Sequence, residues 1–169
     1  MVKALVLYNS RGGNTKQVAM KIAEGLGVEC RNNKKIPDLA EYDLIVIGSW
    51  VIMGRISFAG ARYLRKLKRK GIEGRKVALF FTSGAPDDTH PMTERKGTPK
   101  KIKEVMFETM ERILTKKNKI NILSERFYCQ GAIRMFGEER DVIGHPSEEE
   151  LAQAKAFGEQ LKNQFETSG

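Results

Sequence analysis

A chain of 169 residues, 40% hydrophobic and 30% charged with a net charge of +9, is long enough to bury a core as one domain spanning 1–169. Its apolar runs stay far short of the roughly 20 residues that cross a bilayer, and "VKALVLY" near its start reads as a strand rather than a secretory leader, so no membrane span and a cytoplasmic location are expected. Two cysteines, Cys30 and Cys129, and two histidines, His90 and His145, have no metal-ligand or dithiol spacing and support neither a zinc site nor a redox pair.

Val2 to Tyr8 is a short apolar run that stops before a glycine pair, the pattern of a buried parallel strand. A helix follows, with Val18, Ile22 and Leu26 at four-residue intervals, Ala19 and Ala23 beside them, and Gly25 and Gly27 marking its end. Val28 to Asn32 is a weak edge strand, and Tyr42 to Ser49 is as apolar as a central one. Beyond the loop at Ser49 to Ser57, Phe58 to Lys70 reads as a helix. The densest basic stretch, Arg65 to Lys76, alternates with Leu64, Leu67 and Ile72 as the wet side of a surface helix does, so nucleic acid is not the expected partner. Lys76 to Gly84 is a third strong strand. Thr82 to Thr98 then supplies about fifteen mostly polar residues, longer than an ordinary connection. Thr98 and Pro99 resemble an N-cap and N1 pair ahead of a helix carrying Ile102, Val105, Met106, Thr109, Met110 and Ile113. "KINILSERFYCQG" holds another strand, and Ser147 with Glu150 is a capping-box signature for a last helix with Leu151, Ala154, Phe157, Leu161 and Phe165.

Strands alternating with helices in this way predict an α/β fold: a parallel sheet with right-handed crossovers and helices on both faces. Ligands of such sheets sit at the carboxyl ends of the strands. Three loops fall there: Asn9 to Thr15, Ser49 to Ser57 and Thr82 to Thr98. The first combines small, flexible and hydroxyl-bearing residues immediately before a helix, where amide N–H groups and the positive end of the helix dipole favour an anion.

"LYNSRGGNTKQVA" resembles the phosphate loop of the flavodoxin family, with Ser10, Gly13, Asn14 and Thr15 on the matched positions. The likeness extends from Val2 to about Phe165. It implies a three-layer fold with a five-stranded parallel sheet of order 2-1-3-4-5, and an FMN cofactor whose phosphate is held by Ser10, Arg11, Gly12, Gly13, Asn14 and Thr15. In "VIGSWVIMGRIS" it implies that Ser49, Trp50, Val51, Met53 and Gly54 border the flavin ring, with Trp50 stacked on it and Met53-Gly54 as a peptide that turns over on reduction. In "FFTSGAP" it implies that the backbone of Ser83, Gly84 and Ala85 meets the pyrimidine edge. Asp87, Asp88 and His90 lie beyond, His90 reading as a solvated loop histidine or as a general acid.

Two departures from the family bear on function. Gly12 stands where family members commonly place a second hydroxyl, and the charge of +9 opposes their usual acidity. An electron carrier of this charge calls for a redox partner with an acidic face. A second reading is an FMN-dependent oxidoreductase acting on a small-molecule substrate. Quinone reduction is one form of it. "YCQGAIRMFG" is similar to a loop of the flavodoxin-like protoporphyrinogen oxidases, with Arg134, Met135 and Phe136 facing substrate. A third is a flavin-free module bound to phosphate or nucleic acid.

Overall fold

Alternate residues of the central strands enter two different cores. Leu5 and Leu7, Ile45 and Ile47, and Val77, Leu79 and Phe81 face one side, while Val6, Val46 and Phe80 face the other. Strands buried on both faces have no polar side to show, which is why these runs are continuously apolar. The computed structural model describes residues 2–85, 87–136 and 138–167, and of Arg134 and Met135 only the backbone.

Strand β1 (Ala4–Tyr8) lies between β2 (Cys30–Asn32) and β3 (Leu44–Ile52), and β3 pairs in turn with β5 (Lys76–Ser83), which pairs with β6 (Asn121–Gln130). All four pairings are parallel, giving the predicted order 2-1-3-4-5 when β5 and β6 are counted as the fourth and fifth strands. A two-residue strand, β4 (Arg55–Ile56), folds back antiparallel on β3 and extends the sheet to six. Helices α1 (Asn14–Leu26) and α5 (Glu148–Thr167) cover one face. Helices α2 (Phe58–Lys68) and α4 (Ile102–Thr115) cover the other, where Phe107 meets Phe81 edge-on at 4.9 Å. A short α3 (Pro91–Arg95) stands before α4, and a hairpin of β7 (Ile133–Met135) and β8 (Glu138–Asp141) before α5.

Two expectations are corrected. Thr98 and Pro99 do not open α4, which begins at Ile102. Its first turn is satisfied from elsewhere: the Lys103 N–H donates to the Asp87 carboxylate at 2.8 Å, and the Glu104 carboxylate accepts the Lys101 N–H at 2.9 Å. Gly25 does not end α1, which runs on to Leu26 and is closed by Gly27 at φ 74. Instead a Cβ at Gly25 would collide with the Lys155 carbonyl and one at Gly158 with the Ile22 carbonyl, so these two glycines let α1 and α5 cross backbone to backbone.

Candidate functional site

The carboxyl ends of β1, β3 and β5 bring all three predicted loops to one edge of the sheet. In the first, Gly13 takes φ 93 and ψ −10, a left-handed conformation that a side chain would resist. The Ser10 hydroxyl accepts the Gly13 N–H at 3.1 Å and closes the loop into a compact turn. The first hydrogen bond of α1 runs from the Gln17 N–H to the Gly13 carbonyl at 3.0 Å. The amides of Thr15 and Lys16 precede it, and such first-turn donors have no carbonyl within their helix.

Behind this loop lie Asn9 and Thr82, which sequence reading left unassigned, beside Thr15, which it placed at the phosphate. Asn9, only 5% exposed, has a side-chain nitrogen buried without any partner, an expensive condition beside an open loop. Thr15 is 1% exposed and its hydroxyl is 2.8 Å from that of Thr82 at the end of β5. One hydroxyl of that pair donates to the other, leaving a second proton to be directed elsewhere. Asn14 turns away from the turn: its side-chain amide donates to the Ala132 carbonyl at 2.8 Å, and Gly131 packs against it. Arg11 is exposed, with its guanidinium 5.9 Å from the centre of the Trp50 ring, within cation–π range.

Trp50 belongs to strand β3 rather than to the loop, paired with Thr82. Its neighbours Ser49 and Val51 point to the opposite face and are buried, Ser49 beneath Gly60 of α2 and Val51 in the core with α4. Only their backbone reaches the sheet edge. Met53 and Gly54 form the turn between β3 and β4, with Met53 88% exposed.

The third loop is more fully occupied than expected. The Ser83 carbonyl accepts the Gly131 N–H at 3.0 Å, the Ser83 hydroxyl accepts the Ala85 N–H at 3.1 Å, and the Ala85 carbonyl accepts the Tyr128 hydroxyl at 3.0 Å. Burial, then the neighbouring Asp87, pushes the Tyr128 phenol up to about 12. Ile133 lies directly on Gly84, where a Cβ would strike its side chain. Asp88 gives its carbonyl to the Ile102 N–H at 2.8 Å, and His90 is buried rather than a solvated loop residue, 8% exposed and closing on the Gly54 carbonyl. Phe136 is fully in solvent at the hairpin tip, while the side chains of Arg134 and Met135 fall outside the described residues.

Residues 5–140 match the flavodoxin domain family. The chain belongs to that family. The curated "Flavodoxin-like domain-containing protein BilS" of Clostridioides difficile is 27% identical, with 95% of this chain and 96% of that protein aligned. Among solved structures, a flavodoxin from the domain Archaea superposes with a TM-score of 0.63 at 18% identity, covering 96% of this chain and 97% of its own. A flavoprotein from Lactobacillus acidophilus in complex with FMN gives 0.51 at 20% identity, covering 77% and 93%. This flavodoxin domain therefore shares the architecture of its structural neighbours over nearly all of its length. Among the described residues no helix is long and apolar enough to cross a membrane.

The first loop fits the phosphate end of a flavin mononucleotide: a glycine in the left-handed region, a hydroxyl at Ser10, first-turn amides, and the orphaned Asn9 nitrogen behind them. Gly12 supplies no hydroxyl, and Asn9 and Thr82, the partner of Thr15, stand as the additional polar groups that sequence reading missed. Nothing local announces them. Asn9 looks like any residue ending a strand, and Thr82 becomes relevant only through a contact 67 positions away.

Proposed function

We propose that this chain is a single-domain, cytoplasmic FMN protein that passes electrons between its noncovalently held flavin and a partner protein with an acidic face. The observation that carries the reading is the Ser10–Thr15 loop, in which a left-handed Gly13 opens a helix whose first-turn amides have no helical carbonyl partner, with the unpartnered buried Asn9 amide next to it in the chain. Ser10, Gly13 and Thr15, aided by Asn9, would hold the phosphate, with Arg11 and Gly12 contributing charge and backbone. Trp50, Met53 and Gly54 would border one side of the ring, and the third loop, Ser83 to Ala85, its far edge. Bound FMN supplies one- and two-electron redox chemistry. The chain's own part is to orient the ring, limit water at its edge, and leave one side open to a partner.

The choice of an acidic partner rests on α2. Its outer side presents Arg62, Arg65 and Lys66, followed by Arg69, and the helix contains no acidic residue to neutralise them. At its start Phe58 is 74% exposed with the Arg62 guanidinium 5.2 Å from its ring, and a few residues earlier in the chain Ile52, at the end of β3, and Met53 of the turn are exposed too. An apolar spot flanked by cations matches a partner that is apolar at its centre and acidic at its rim.

Titrating flavin-free protein with FMN, following quenching of flavin fluorescence, tests the reading. Stoichiometric uptake that is lost in Ser10→Ala/Gly13→Ala is the expected result, and absence of uptake would overturn it.

A further inference from the structure

Both ring nitrogens of His90 are engaged. The Met92 N–H donates to Nδ1 at 3.2 Å, and Nε2 lies 3.0 Å from the Gly54 carbonyl oxygen. A backbone N–H only donates and a carbonyl only accepts, so Nδ1 offers its lone pair and Nε2 carries the proton. This fixes a neutral ring in one tautomer. The ring is firmly mounted: the His90 N–H donates to the Lys100 carbonyl at 2.8 Å, the Thr93 hydroxyl to the His90 carbonyl at 2.8 Å, and the Ile102 N–H to the Asp88 carbonyl at 2.8 Å. The segment is thereby fastened to the start of α4.

At the other end of the contact, Ile52 pairs with Arg55, so Met53 and Gly54 are the central residues of a two-residue hairpin turn. Their φ values are 50 and 67. Two positive values identify a type I′ turn. Rotating the peptide between them would produce type II′, whose first central residue takes a conformation suited to glycine. Here that residue is a methionine. Gly54 meanwhile has its own carbonyl held by His90, whose ring lies against its α-carbon, 3.5 Å from where a Cβ would stand.

We propose that His90 and Met53 together lock this turn in one conformation when a neighbouring flavin is reduced: Met53, a non-glycine at the first central position, opposes turnover of the Met53–Gly54 peptide, and His90, holding the Gly54 carbonyl, opposes turnover of the Gly54–Arg55 peptide that follows. His90 is thus a positioning residue acting through the Gly54 carbonyl. This rests on the reading that FMN lies beside the turn. A turn that presents the same groups to every oxidation state adds nothing to the stability of one-electron-reduced flavin, so the two reduction steps stay close in potential.

Two measurements test the lock. In flavin-free protein, long-range proton–nitrogen correlation of the His90 ring should show the Nε2–H tautomer at neutral pH, and relaxation dispersion should find the Met53 and Gly54 amides free of millisecond exchange. A tautomer mixture or an exchanging turn would overturn the proposal, whether or not the protein takes up FMN. In FMN-loaded protein, anaerobic potentiometric titration followed by electron paramagnetic resonance compares wild type with Met53→Gly, His90→Asn and the double variant. Asparagine keeps an acceptor for the Met92 N–H but is too short to reach Gly54. Relief of the strain of a non-glycine residue should raise the maximum fraction of one-electron-reduced flavin about tenfold in the double variant, with each single change intermediate. A wild type that already accumulates that state, or a double variant identical to wild type, would overturn the lock. Failure to bind FMN would overturn the proposed function instead, leaving the flavin-free measurement to decide the lock.

Discussion

Gly13 shows how much one backbone angle can decide. At φ 93 it opens helix α1 while its own N–H sits on the Ser10 hydroxyl. Gly13→Ala would put a Cβ into a region that costs about 1–2 kcal/mol. The chain should still fold, but with its unfolding free energy lowered by that amount, read from urea unfolding of flavin-free protein, and an unchanged stability would contradict the strain. The two thiols make a second prediction. Burial pushes both Cys30 and Cys129 up to about 12, and Cys129 is 3% exposed. Because the thiolate is the nucleophile, iodoacetamide at neutral pH should leave Cys129 unlabelled until the chain unfolds. Rapid native labelling, read by mass spectrometry, would contradict this. Ser10, Gly13 and Thr15, whose phosphate role is a proposal, stood out in the sequence because their residue types sit at fixed offsets from a strand end. His90 was not, because its partner Gly54 lies 36 positions away and no local pattern reports it.

Among the elements, the helices were legible where their signals are local. The Ser147 and Glu150 pattern is realised in full: the Ser147 N–H donates to the Glu150 carboxylate at 2.7 Å and the Glu150 N–H to the Ser147 hydroxyl at 3.2 Å. The start of α4 was misplaced because its first turn is completed by Asp87, a residue with no fixed sequence offset from the helix. At Glu150, burial alone would push the carboxyl up, but the N–H groups of Ser147 and Gln130 and the His145 ring outweigh it and hold it below its ordinary range. A depressed carboxyl stabilises the fold above its unfolded pKa and loses that contribution as pH falls through the folded value. Glu150→Gln should therefore cost about 1 kcal/mol at neutral pH, with the gap to wild type narrowing in acid when thermal unfolding is compared across pH. Helix α2 makes a different prediction. Reversing Arg62, Arg65 and Lys66 to glutamate should slow reduction of FMN-loaded protein by a reduced acidic ferredoxin about tenfold at low salt and flatten its salt dependence. An equal change of charge elsewhere, reversing Lys155 and Lys162 on α5 together with Lys117 after α4, should act much less. Equal slowing by both sets would show that net charge, and not the α2 face, steers the encounter.

For the molecule as a whole, the sheet order was legible from the alternation of apolar runs, whereas the fit between layers was not. Gly25 read as a helix terminator, yet it and Gly158 are where α1 and α5 touch. Gly158→Ala should force the helices apart at a cost of about 1–3 kcal/mol, measured by urea unfolding. The other join between distant parts of the chain is the Asn14 side chain on the Ala132 carbonyl, with Ile133 resting on Gly84. Residues 131–133 thus serve as a keystone over two loops made much earlier. On a ribosome, the first loop would emerge long before the segment that secures it. On the proposed function, a mature grip on flavin awaits most of translation, and nascent chains halted before Gly131 should release flavin far faster than the finished protein.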